Sequence, residues 1–138
     1  MAKDIIHDAV ANALINDGWT ITDDPLVLRY GDAHVLVDLG AERVIAAERG
    51  NEKIAVEIKS FIGRSPMRDM EVALGQYILY LSFLQQIEPE RRLFLAVSHI
   101  TYETILQGEA IQMLLDVNHV PLLVVQTEHE EVLKWMPK

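Results

Sequence analysis

The chain has 138 residues, of which 50% are hydrophobic and 24% charged, with a formal net charge of −9 and no cysteine. That length predicts one domain spanning 1–138 with a sizeable core. The charge argues against a general nucleic-acid coating protein, and the missing thiols exclude disulfides, thiolate metal sites and a cysteine nucleophile.

Met1-Ala2-Lys3-Asp4-Ile5-Ile6-His7-Asp8 carries acids where a signal peptide needs an apolar core, so a cytoplasmic protein is expected. No apolar run reaches membrane-spanning length, and no membrane partner is expected. Residues 3–16 predict an amphipathic helix with Ile5 or Ile6, Val10, Ala13 and Leu14 on one side, Asp4 as its cap and Asn16-Asp17-Gly18 as its stop. Trp19 to Thr22 reads as extended, Asp23-Asp24-Pro25 as a turn, and Leu26 to Tyr30 and His34 to Leu39 as strands around Gly31-Asp32. Val44 to Glu48 and Lys53 to Ser60 predict a hairpin across Arg49-Gly50-Asn51-Glu52. Ser65, Pro66 and Asp69 then start a long helix over 66–87, with Met67, Met70, Leu74, Tyr77, Leu81 and Leu84 as its apolar stripe. Glu88-Pro89-Glu90 ends it. Leu93 to Val97 and Val120 to Val125 read as buried strands. One or two helices lie between them, broken near Gly108, and Val132 to Met136 adds an edge strand or final turn. Helices alternating with strands after an N-terminal meander predict an α/β domain with a mixed β-sheet.

The most informative strand is Lys53 to Phe61. Period two puts Ile54, Val56 and Ile58 on one face and Ala55, Glu57 and Lys59 on the other. Glu57 and Lys59 therefore project side by side. A carboxylate can hold a divalent cation, and an ammonium beside it can orient water or offset charge on a phosphate. The pair alone is also what any half-exposed strand presents to solvent on its polar face. A turn at Gly50-Asn51 sets Glu57 opposite Val44 and Lys59 opposite Glu42, with Asp38 entering the same hairpin earlier. The stretch from Arg43 to Arg68 is the one basic island, net +3 in a chain of −9.

Asp38, then Glu57-Ile58-Lys59, then a helix bearing Gln76 resembles the PD-(D/E)xK pattern of restriction-endonuclease-like nucleases. Val37-Asp38-Leu39-Gly40-Ala41-Glu42, Ala55-Val56-Glu57-Ile58-Lys59-Ser60-Phe61, Ala73-Leu74-Gly75-Gln76-Tyr77, Asp17-Gly18-Trp19 and Lys134-Trp135 together resemble the XisH family. That resemblance implies a restriction-endonuclease-like fold, a central mixed sheet flanked by helices, and a role in excision of the fdxN DNA element beside a companion called XisI and a site-specific recombinase. It implies Asp38, Glu57, Lys59 and Gln76 as catalytic residues and Mg²⁺ or Mn²⁺ as the cofactor. Asp38 and Glu57 are the implied metal ligands. The second carboxylate stays open between Asp38, favoured by the resemblance, and Glu42, favoured by register. Arg43, Lys53, Arg64 and Arg68 in the basic island are the expected DNA contacts. The expected activity is magnesium-dependent endonuclease cleavage of DNA; the alternative is a non-catalytic subunit that keeps the fold and binds XisI or a recombinase. A homodimer is left open.

The remaining polar residues carry less. His7, His34, His99, His119 and His129 have no close metal-binding spacing. Trp135 beside Lys134 reads equally as a partner surface or as an aromatic covering the core.

Overall fold

The computed structural model describes residues 2–36, 38–39 and 42–137, and among these the side chains of residues 6–33 and 45–137. Its elements in chain order are α1 (Ala2–Asn16), β1 (Thr20–Asp23), β2 (Val27–Tyr30), β3 (Ala33–Leu36), β4 (Asp38–Leu39), β5 (Glu42–Arg49), β6 (Glu52–Ile58), α2 (Pro66–Ile87), β7 (Arg92–Ser98), α3 (His99–Thr104), α4 (Glu109–Val117), β8 (Leu122–Gln126) and β9 (Glu131–Met136).

The main sheet runs β1-β5-β6-β7-β8-β9, with β4 paired to β5, while β2 and β3 form a separate hairpin. The pairs β6–β7 and β7–β8 are parallel, and β1–β5, β4–β5, β5–β6 and β8–β9 are antiparallel. The expected mixed α/β sheet is therefore present, with β6 inside it. No helix among the described residues is long and apolar enough to cross a membrane.

Both faces of the sheet are covered. On one face Ile54, Val56 and Ile58 pack with Ile45, Ala47, Phe94, Ala96, Leu123 and Val125 against Ile6, Val10, Ala13 and Leu14 of α1. On the other face Ala55, Leu93, Leu95, Val97 and Val124 meet Met70, Ala73, Tyr77, Tyr80 and Leu84 of α2, Leu28 of β2, and Leu106, Ile111 and Leu115 from the α3–α4 region. The long apolar runs in β7 and β8 follow from this two-sided cover.

Local chemistry sets the element ends. The Trp19 N–H bonds the Leu14 carbonyl at 2.9 Å and the Gly18 N–H bonds that of Ile15 at 3.0 Å, with Gly18 at φ 93°. That double bond closes α1, and it needs the left-handed conformation that glycine adopts without strain. The same closure ends α4, where His119 takes φ 52° and the Val120 N–H reaches the Leu115 carbonyl at 3.0 Å. Val120 is thus spent on the helix stop, and β8 begins at Leu122 rather than at the expected Val120. At α2 the Ser65 side chain accepts from the Arg68 N–H at 3.2 Å, with Pro66 at the first helical position, as the sequence predicts.

Three expectations need correction. Asp4 lies inside α1, which starts at Ala2, and so does not cap it. Met67 is 40% exposed while Ala73 and Tyr80 are buried, so the core face of α2 is rotated from the expected stripe. The β5–β6 ladder follows the expected register through Val44 opposite Glu57 but ends there; Glu42 pairs with Leu39 of β4, and the Lys59 N–H bonds the Ala96 carbonyl of β7 at 3.0 Å. The chain past Ile58 follows β7, so the Glu42–Lys59 row does not form.

Candidate active site at the end of the central strand

Strand alternation alone allows Glu57 and Lys59 to face water, and the structure removes that reading. Glu57 is 3% exposed and Lys59 9%, because α2 and the β2–β3 hairpin lie over this face of the sheet. Burying a carboxylate and an ammonium costs several kcal/mol each unless their surroundings compensate. Packing alone does not account for choosing these two residues in a sheet otherwise lined by hydrocarbon.

Gln76 reaches the pair from α2. The Lys59 Nζ donates to the Gln76 Oε1 at 3.3 Å, so the central strand and the long helix meet through the two side chains that the nuclease-like pattern singles out. Tyr77, the next residue on α2, is 4% exposed. Its hydroxyl pKa is pushed up to about 12, first by burial and then by the negative charge of Glu57, with Arg92 opposing the rise. Tyr77 therefore keeps its proton at physiological pH. Sequence reasoning placed Tyr77 in the core stripe and missed this electrostatic role; its position beside Gln76 was the available signal.

The loop from Lys59 to Ser65 turns the chain from strand to helix. Phe61, 4% exposed, holds φ 55°, a conformation costly for an aromatic residue and sustained here by its burial. The Gly63 N–H donates to the Asp69 Oδ2 at 2.9 Å, tying the loop to the first turn of α2. Ser60 is anchored from α3, whose Thr101 hydroxyl donates to its carbonyl at 3.4 Å.

The backbone places Asp38 opposite Arg43, one row from Val44, which pairs with Glu57. The side chains of Asp38, Glu42 and Arg43, expected as metal ligands and a DNA contact, lie outside the described residues. Among the described residues no cluster of three or more His, Cys, Asp or Glu forms. Among the described side chains of this site one oxygen donor suited to a divalent cation is present, the Glu57 carboxylate, 3% exposed on β6.

The basic island divides between two places. Arg64 and Arg68 are exposed just beyond the Lys59 end of β6, Arg68 within 3.5 Å of Glu71. Lys53 lies at the opposite end of the strand, 4.0 Å from Glu48. His7 is buried and its Nε2 lies 3.0 Å from the Asp24 Oδ1, a structural link between α1 and the turn after β1. Trp135 covers core, with its ring 4.9 Å from Phe94 and 5.8 Å from Trp19.

A family model described as XisH protein matches residues 1–133. A crystal structure of an XisH family protein from Nostoc punctiforme PCC 73102 superposes with a TM-score of 0.87 at 39% identity, covering 95% of this chain and 98% of that one. A crystal structure of an fdxN element excision controlling factor protein from Anabaena variabilis gives a TM-score of 0.87 at 40% identity, covering 96% and 98%. No curated protein matches significantly. With the match running across nearly the whole chain, in sequence and in backbone alike, the protein belongs to the XisH family.

Proposed function

We propose that this chain controls excision or rearrangement of a DNA element by metal-dependent phosphodiester hydrolysis of the PD-(D/E)xK kind. The observation that supports this most is the burial of Glu57 on β6 and of Lys59 just past the end of that strand, with Lys59 held by Gln76 at 3.3 Å. A domain that gains nothing from those charges would place hydrocarbon there. The link to excision follows the name carried by the Anabaena variabilis relative.

Glu57, with Asp38 or Glu42, would hold Mg²⁺ or Mn²⁺. When bound, such an ion neutralises charge on a phosphate and lowers the pKa of a coordinated water. Lys59 brings a positive charge that Gln76 orients, suited to the negative charge that develops on the phosphate oxygens. Tyr77 keeps its proton and so acts as a donor near Glu57, never as the base. Arg64 and Arg68, exposed where β6 gives way to α2, are placed to meet the DNA backbone.

A second reading rests on the outer face of α2. Val72, Ile78 and Leu79 are 38%, 51% and 44% exposed, and a Cβ on Gly75 would meet nothing within 4 Å. An exposed apolar stripe of this kind suits a protein partner. In that reading the chain is a non-catalytic subunit acting through an XisI-like companion or a recombinase.

Cleavage and excision assays on the same proteins separate the two. Branched and linear DNA are incubated with Mg²⁺ or Mn²⁺ and the wild type, Glu57→Ala or Lys59→Met. The nuclease reading expects cleavage by the wild type and loss of both cleavage and excision in the variants. No wild-type cleavage with unchanged excision in both variants leaves the binding subunit.

A further inference from the structure

At the other end of β6, on the α1 side of the sheet, a cavity of about 370 Å³ opens between the β5–β6 turn, the start of β7 and the end of β9. Trp19, Phe94 and Trp135 line it with aromatic surface. Two guanidinium groups lie on these rings: Arg49 is 4.4 Å from the centre of Trp19, and Arg92 is 4.8 Å from that of Phe94. Arg49 is fixed further by the Asp17 carbonyl and carboxylate, at 2.9 and 3.0 Å. Lys53 supplies a third cation, and Glu52 and Glu90 are the acids of the lining.

Stacking holds an arginine's plane while leaving its N–H edge to bind an oxyanion, and it removes much of the entropy such binding would otherwise lose. Asp17 pairs with Arg49 and Glu48 with Lys53, while among the described residues no carboxylate pairs with Arg92, whose guanidinium is left to meet an anion. Trp135 is only partly buried and offers a surface against which a base can stack. Glu52 and Glu90 can accept hydrogen bonds from sugar hydroxyls or a base amino group. The volume falls near the lower end of small-ligand sites, roughly 300–1,000 Å³, which suits one nucleotide and not a duplex.

We propose that this cavity binds a single nucleoside monophosphate, with its phosphate on Arg92 and Lys53 and its base against Trp135. The unit is either a free nucleotide or the phosphorylated end of a DNA strand. The site is independent of the phosphodiesterase reading: Lys53 precedes Glu57 by four residues, roughly 13 Å along a strand at about 3.3 Å per residue. Ile54, which also lines the cavity, belongs to the opposite face of β6.

The chain has two tryptophans and both line the cavity, so their fluorescence reads its occupancy directly. The titrants are deoxyadenosine monophosphate, deoxyadenosine, inorganic phosphate, and a short single strand with and without a 5′-phosphate. The monophosphate is expected to change the emission saturably, with deoxyadenosine and phosphate each binding at least about tenfold more weakly, a difference of about 1.4 kcal/mol. Arg92→Ala and Lys53→Ala should each weaken binding by a similar factor with unchanged circular dichroism, Arg92→Lys should weaken it less, and Glu57→Gln should leave it unchanged. A phosphorylated strand that binds as well as the monophosphate identifies a strand end; binding of the monophosphate alone identifies a free nucleotide. No saturable change with either, or an affinity untouched by Arg92→Ala and Lys53→Ala together, overturns the proposal.

Discussion

Alternate residues from Ile54 to Lys59, along β6 and one step past its end, are buried on both sides of the sheet, Ile54, Val56 and Ile58 against α1 and Ala55, Glu57 and Lys59 beneath α2, yet only the first set is hydrocarbon throughout. The α1 face follows ordinary packing: branched side chains fill the space between sheet and helix, and each contributes roughly 1.5–3 kcal/mol by leaving water. The α2 face keeps a carboxylate and an ammonium in the same depth of protein, where charge is costly. The difference teaches that burial alone does not identify a core position. On the proposed reading, what separates the faces is whether removing a side chain weakens the fold or the chemistry.

Ile58→Ala and Glu57→Gln, neighbours on the strand, give the widest separation. Ile58 is 1% exposed, and its truncation is expected to cost about 2–5 kcal/mol in denaturant unfolding. Glu57→Gln removes a buried charge without changing volume and should leave stability equal or raise it in metal-free buffer. Equal losses in both variants would erase the distinction.

Lys59→Met is expected to lower DNA cleavage by about 10²–10³, some 3–4 kcal/mol in the transition state, in single-turnover measurements. Its apolar stem keeps the packing of lysine. Calorimetric Mn²⁺ titration should still show binding, since a protonated lysine is not a ligand. A variant that cleaves at the wild-type rate would take Lys59 out of the chemistry.

Tyr77 gives a smaller and pH-dependent contrast. Its pKa of about 12 lies above the usual 10, so below pH 10 it carries the same single proton folded or unfolded. Between the two values the unfolded chain has lost that proton and the folded chain has not, so stability falls as pH rises through this window. Two pKa units correspond to about 3 kcal/mol, missing from Tyr77→Phe in alkaline unfolding curves. In Glu57→Gln the tyrosinate absorbance should titrate lower, because one cause of the rise is gone. An unchanged titration would separate Tyr77 from Glu57.

Gly63→Ala sharpens the loop's part in the comparison with the mildest effect. A Cβ there would come within 2.6 Å of the Asp69 Oδ1, so the carboxylate that holds the Gly63 N–H must move. A loss of about 1 kcal/mol is expected in thermal unfolding, with cleavage falling alongside as the loop after Lys59 shifts. Wild-type stability would show that the Asp69 carboxylate gives way freely.

Much of the frame is legible in the sequence where one residue type has one local use. Ser65-Pro66 opens α2, Gly18 closes α1, and Gly50-Asn51 fixes a hairpin whose register puts Val44 opposite Glu57. The depth of Glu57 and Lys59 is not legible from strand periodicity, since their cover comes from how α2, the next element in the chain, and β2, well before it, pack over this face. The rotated face of α2 has the same origin: Ala73 and Tyr80 are drawn in by what lies opposite, and Met67 is left out. The ring cluster of Trp19, Phe94 and Trp135 joins three distant segments, and nothing local to Lys134-Trp135 announces it.

Thermal unfolding of the wild type and Glu57→Gln, each with and without Mn²⁺, tests the central claim that the buried carboxylate of β6 is a metal ligand and not a structural anchor. The account predicts that Glu57→Gln is at least as stable as the wild type without metal, and that Mn²⁺ raises the Tm of the wild type alone, narrowing or reversing the order by mass action. A Glu57→Gln protein that is less stable without metal, in a pair that Mn²⁺ leaves unmoved, would contradict it.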